Sequence, residues 1–173
     1  MTLRLPQGTG RSSGHASFRL ERRPMFRVAA TLVFASVAVA GCAQKKSLQV
    51  TDAWVRLAAV DGRPAAGYFT IQGGGNDTAL TSVSTAEAAR TELHESRMTQ
   101  SGGMAMDSLS SVPVPAGQRV VFAPGGKHAM LFEVWPNVKP GGTLTFAFTF
   151  SDGKRVEQKA RVVGAADPVP AGS

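Results

Sequence analysis

The chain has 173 residues, 43% hydrophobic and 18% charged, with a formal net charge of +7 and a single cysteine. Six of its 19 Lys+Arg and one of its 12 Asp+Glu fall in residues 1–41, so the remainder carries 13 basic and 11 acidic residues. That near-balance, with no basic patch interleaved with aromatics, excludes nucleic acid as a partner, and one cysteine excludes an intramolecular disulfide framework.

Ala29 to Ala40 is an uncharged run of small and apolar residues. It is too short for a helix to cross a bilayer core of ~30 Å. Arg22, Arg23 and Arg27 precede it and Val39-Ala40-Gly41-Cys42 ends it. A basic flank, a short apolar run and small residues before a cut site read as a secretory signal over 1–41. The cysteine directly after the small residues resembles a bacterial lipobox, so Cys42 is expected to be acylated and to become the new N-terminus. Met1 to Pro24 is long for a basic flank, and Met25 is an alternative start. Residues 42–47 read as a lipidated tether, 48–164 as one domain and 165–173, with two prolines, as a flexible tail.

Within the domain, short apolar runs are punctuated by Gly, Pro and Asp, a spacing that predicts many short strands in an all-β sandwich or barrel. Strands are expected near Gln49–Leu57, Ala66–Gln72, Ala79–Ser84, Arg90–His94, Met104–Leu109, Arg119–Phe122, His128–Val134, Thr143–Phe150 and Arg155–Val162. Thr85–Ala89 reads as a short helical turn. In Thr143–Phe150, Leu144, Phe146, Phe148 and Phe150 recur at period two and mark one apolar face. Ser151-Asp152-Gly153-Lys154 supplies the turn of a hairpin. Gly73-Gly74-Gly75 is a loop without the lysine and helix that a phosphate loop needs.

His94 and Met106, then His128 and Met130 after 21 intervening residues, form the one constellation with chemistry in it. On a strand, residues at i and i+2 project from the same face, so His128 and Met130 present two donors side by side, as do Met104 and Met106. Thioether sulfur with neutral imidazole suits Cu(I) foremost and hard cations or Zn(II) poorly. A methionine in an apolar run is also ordinary core filler, and a single histidine is usually a hydrogen-bonded surface residue. The pairing of both histidines of residues 42–173 with a nearby methionine weighs against those readings. Met98, four residues after His94, is either an auxiliary ligand or an exposed loop residue. Glu92 is either a hydrogen-bond partner that orients the His94 ring or a plain surface carboxylate. No nucleophile and base stand together, so an enzyme is disfavoured.

These residues resemble the PCu(A)C-type periplasmic copper chaperones, in which a His, a Met about eleven residues on, then 21 residues and His-x-Met recur. Ala53-Trp54-Val55-Arg56, Ala66-Gly67-Tyr68-Phe69, Glu92-Leu93-His94-Glu95, Pro115-Ala116-Gly117 and Pro124-Gly125-Gly126-Lys127-His128 match in order. The match covers Leu48 to Val163. The resemblance implies a cupredoxin-like Greek-key β-sandwich that holds Cu(I) at an exposed edge. The implied ligands are His94, Met106, His128 and Met130. Eleven residues rather than ten separate His94 from Met106, an insertion near Gly102-Gly103 that keeps Met104 as an alternative ligand and Met98 in reserve. The family implies delivery to a copper-accepting periplasmic domain of a haem–copper oxidase or its assembly factor. With the lipobox, this predicts a lipid-anchored protein at a bacterial membrane, with the outer membrane favoured because Ala43, not Asp, follows Cys42. The reading of a different class is a metal-free structural or adhesive lipoprotein.

Overall fold

The computed structural model describes residues 47–170. The expected signal segment, Cys42 and most of its tether lie outside them. Ten strands form: β1 (Gln49–Arg56), β2 (Ala65–Gln72), β3 (Thr78–Ser84), β4 (Ala88–Met98), β5 (Met104–Leu109), β6 (Val112–Val114), β7 (Arg119–Phe122), β8 (Lys127–Val134), β9 (Thr143–Phe150) and β10 (Arg155–Val163). No helix occurs among the described residues. Hydrogen bonding runs in the order β5-β4-β8-β2-β1-β10-β9-β3-β6, with β7 beside β8 on the same edge of β2. All pairings are antiparallel except β1 with β10.

The sheet curls on itself, and the aromatic residues show where its two halves face one another. Phe69 of β2 stacks on Phe122 of β7 with ring centroids 4.2 Å apart and meets Phe148 of β9 edge-on at 4.7 Å. Leu144, Phe146, Phe148 and Phe150 are all buried, as their period requires, beside Val55, Ile71, Leu80, Val114, Leu131 and Val162. This is the cupredoxin-like β-sandwich. Gly67 is needed under it, because a Cβ there would stand 2.8 Å from Cζ of Phe146.

Three expectations change. The helical turn over Thr85–Ala89 is a tight turn at Ala86-Glu87, held by the Trp135 indole N–H donating to the Ala86 carbonyl at 2.6 Å, after which β4 begins. β4 runs on to Met98, so His94 lies within a strand rather than at its end. Its polar residues persist as strand because both edges are paired. Glu95 meets Lys127 of β8 at 2.6 Å and Arg97 meets Asp107 of β5 at 2.6 Å. Finally, β6 was absent from the expected strands because Pro113 removes a donor. It pairs only with β3, at the end of the strand order, where proline is tolerated.

The segment after β10 turns back on the sheet. The Arg56 guanidinium donates to the carbonyls of Ala165 at 2.9 Å and Asp167 at 2.7 Å, and Asp167 accepts from the Gly164 N–H at 2.6 Å.

Candidate metal centre

β4 lies between β5 and β8, and the registers decide which side chains meet. His94 is directly opposite His128 of β8 on one side and Ser108 of β5 on the other. Glu92 is opposite Met130, Ser96 opposite Met106, and Met98 opposite Met104. Directly paired residues share a face, as do residues two apart. His94, His128, Met130, Met106, Met104 and Met98 therefore all stand on one face, the one turned away from the Phe core. Met106 is one step diagonal to His94, within reach of a long side chain. Met104 is one step further.

The turn before β8 sets the second histidine. Ala123-Pro124-Gly125-Gly126 closes with the Gly126 N–H on the Ala123 carbonyl at 3.0 Å, and Gly125 takes φ of +82°. Proline fixes the first central position and glycine accepts the positive φ of the second. The Gly126 carbonyl then accepts the Ser96 N–H at 3.1 Å, which ties the turn to β4, and lies 2.9 Å from Nδ1 of His128. A carbonyl only accepts, so Nδ1 of His128 is the donor, and Nε2 is the bare nitrogen of the neutral ring. Tyr68 of β2 lies beside the ring with centroids 6.4 Å apart, and Trp54 of β1 packs on Tyr68 at 4.4 Å. Under this cover His128 is 6% exposed.

His94 is fixed by Glu92. The Glu92 carboxylate takes the Arg90 guanidinium at 2.8 Å on one oxygen and Nε2 of His94 at 3.1 Å on the other. Its pKa is held below the usual carboxylate range, first by the bond from His94 and then by Arg90. An ionised carboxylate has no proton to give, so Nε2 of His94 is the donor, and Nδ1 is the nitrogen with the lone pair in the neutral ring. That Nδ1 is buried with no hydrogen-bond partner, the one such side-chain nitrogen or oxygen among the described residues. Buried polar atoms are nearly always satisfied, and an orphan marks a missing partner. The two rings stand with centroids 6.1 Å apart and planes 25° from parallel.

Among the described residues no three His, Cys, Asp or Glu side chains converge. Further donors beside the histidines are thioethers, and Met106 is 54% exposed, free to swing. The donor set fits a soft monocation. Sequence reasoning singled out His94, Met106, His128 and Met130, which the registers bring to one face, and left Glu92 open between two roles. It missed the Gly126 carbonyl and the Tyr68–Trp54 cover, although Pro-Gly-Gly before His128 announced the turn.

Solved structures share this fold and place the chain with PCuAC domains. The copper-bound PCuAC domain from PmoF2 gives a TM-score of 0.57 at 18% identity, covering 69% of this chain and 95% of that one. CuI-DR1885 from Deinococcus radiodurans gives 0.56 at 25% identity, covering 70% of this chain and 81% of that one. Within that class, the family model described as "Putative lipoprotein LpqE-like" matches residues 48–162, and the chain belongs to that family. A relative from Leifsonia xyli subsp. xyli (strain CTCB07), "Putative lipoprotein Lxx21020", is 35% identical over 112 residues. That match spans 64% of this chain and 66% of the relative's length.

Proposed function

We propose that this protein is a copper chaperone that carries Cu(I) on His94, Met106, His128 and Met130. The observation that carries the reading is the direct register pair of His94 and His128, with a buried Nδ1 on His94 that has nothing to bind. Two neutral imidazoles and neutral thioethers are soft or borderline donors, and Cu(I) is the ion they suit best. The fold shared with a copper-bound PCuAC domain and with CuI-DR1885 supports the same assignment.

Copper is cargo here, not a resident cofactor, and the protein has no catalytic role. Without thiolate or carboxylate ligands the bound monocation is not charge-compensated, which favours easy exchange. Met106 lies on β5, at the end of the strand order, and is half exposed. It is the ligand a recipient's soft donor displaces. Cys42 anchors the chain by lipid to the periplasmic side of a bacterial membrane, the outer membrane favoured. From there the ion passes to the copper centres of haem–copper oxidases or to an assembly factor serving them.

Anaerobic titration with Cu(I), read by X-ray absorption, tests the assignment by counting nitrogen and sulfur neighbours. One tight equivalent with two nitrogens and two sulfurs is expected. Met106→Ala is expected to weaken binding at least tenfold, ~1.4 kcal/mol, while Met104→Ala leaves the equilibrium affinity in place. A wild-type chain that stays metal-free against a competing chelator sinks the proposal in favour of a structural lipoprotein. The reverse behaviour of the two methionine variants moves the ligand to Met104.

A further inference from the structure

We infer that Met98 and Met104 form a separate Cu(I) capture site at the tip of the β4–β5 hairpin, which loads the histidine pair through Met106. The inference rests on the copper reading above and adds a place where the ion is first taken up. Met98 and Met104 are the last register pair before the turn. They are 74% and 63% exposed. With Met106 they make up three of the seven exposed large hydrophobics among the described residues. Core packing does not account for side chains that touch so little.

The turn holds the pair in place. The Thr99 N–H donates to the Gly103 carbonyl at 2.7 Å, and the Thr99 hydroxyl oxygen accepts the Gly103 N–H at 3.0 Å. Gly102 takes φ of +83° to close it. Directly opposed residues on antiparallel strands have Cβ atoms about 4.5–5.5 Å apart. Two flexible thioethers on such a pair can close on one ion. Between this pair and the histidines the same face carries only Met106, Ser96 and Ser108, none of them charged. The Arg97–Asp107 ion pair belongs to the opposite face by strand alternation. A neutral pair of sulfurs neither repels a monocation nor retains a hard divalent one.

Two thioethers alone hold Cu(I) less tightly than two imidazoles with thioethers, so the donors form a gradient along one face. Met106 lies two residues from Met104 on β5, about 7 Å along a strand, and diagonal to His94. Transfer is ligand exchange. A Cu–S bond to Met106 forms as one to Met98 or Met104 breaks, the ion stays cuprous, and no proton or electron moves.

The test compares the purified full chain with a Met98→Leu/Met104→Leu double variant, anaerobically, with the coloured Cu(I)–bicinchoninate complex as donor. Leucine preserves size, and both positions are exposed, so the fold has no reason to change. Stopped-flow loss of colour is expected to slow at least tenfold in the variant, while the equilibrium affinity of the tight site stays within threefold. A second, weaker Cu(I) equivalent present in the wild type is expected to vanish. An unchanged rate overturns the capture site. A tenfold loss of affinity alongside the rate also overturns it, since these methionines then belong to the histidine site. A wild type that takes no copper at all is the failure of the copper assignment, a distinct result.

Discussion

Glu92 decides which nitrogen of His94 is left bare. Its ionised carboxylate accepts from Nε2–H, so a ligand meets His94 at Nδ1. Partners that orient a metal-binding imidazole in this way typically contribute about 10–100-fold in affinity. Glu92→Leu is expected to weaken Cu(I) binding by that order in a chelator competition, and Glu92→Gln, whose amide oxygen still accepts, by less. Equal losses in both variants point instead to the carboxylate charge, which also pairs with Arg90. Tyr68 gives an independent reading of the same neighbourhood, since it is the only tyrosine in the chain. Burial pushes its phenol above the ordinary value, and Arg56 partly offsets that. The folded state therefore keeps this proton more tightly than the unfolded chain, where a free phenol titrates near ~10. The associated stability is complete below that pH and is lost as pH rises through the folded value. Ultraviolet titration should show one phenol ionising late, and a midpoint at or below the free value is incompatible with the burial described.

At the scale of elements, β9 was fully legible and β4 was not, for a physical reason. β9 has one apolar face, so period two writes Leu144, Phe146, Phe148 and Phe150 directly into the sequence. Phe148 touches Phe69 and Phe146 and is fully buried. Phe148→Ala should cost roughly 3–5 kcal/mol in chemical denaturation, with an unchanged slope if the domain stays two-state. A loss under 1 kcal/mol implies that the two halves of the sandwich do not meet there. β4 carries charge on both faces, and its length depends on partners β5 and β8, which local pattern does not report. The His94–His128 pairing is a fact of register between residues 34 positions apart in sequence, and only the spacing shared with PCu(A)C chaperones made it expected. That His94, Met106, His128 and Met130 share one face was legible, because i and i+2 spacing on neighbouring strands implies it. The tautomers were not, because they depend on a turn carbonyl at Gly126 and on a carboxylate that by sequence reads first as a plain surface residue.

At the scale of the molecule, the candidate centre draws on β4, β5 and β8, and β5 ends the strand order with β4 as its only partner among the described residues. An ion held as proposed by His94, His128, Met130 and Met106 would tie that end strand to the two behind it. Binding only to the folded state stabilises it by mass action, by about 2.7 kcal/mol at ~100 times the dissociation constant. For a domain of this size that corresponds to a rise in Tm of roughly 10 °C. Part of the expected gain would arise because the buried Nδ1 of His94, which has no hydrogen-bond partner, acquires one. Anaerobic thermal unfolding with Cu(I) should show the rise, His94→Ala should abolish most of it, and Met104→Leu should retain it. Amide exchange should slow mainly in β5, the end strand that carries Met106. A saturated protein with unchanged Tm and unchanged β5 exchange means the ion sits on surface thioethers without bridging the strands, and the four-ligand centre then fails even if copper binds.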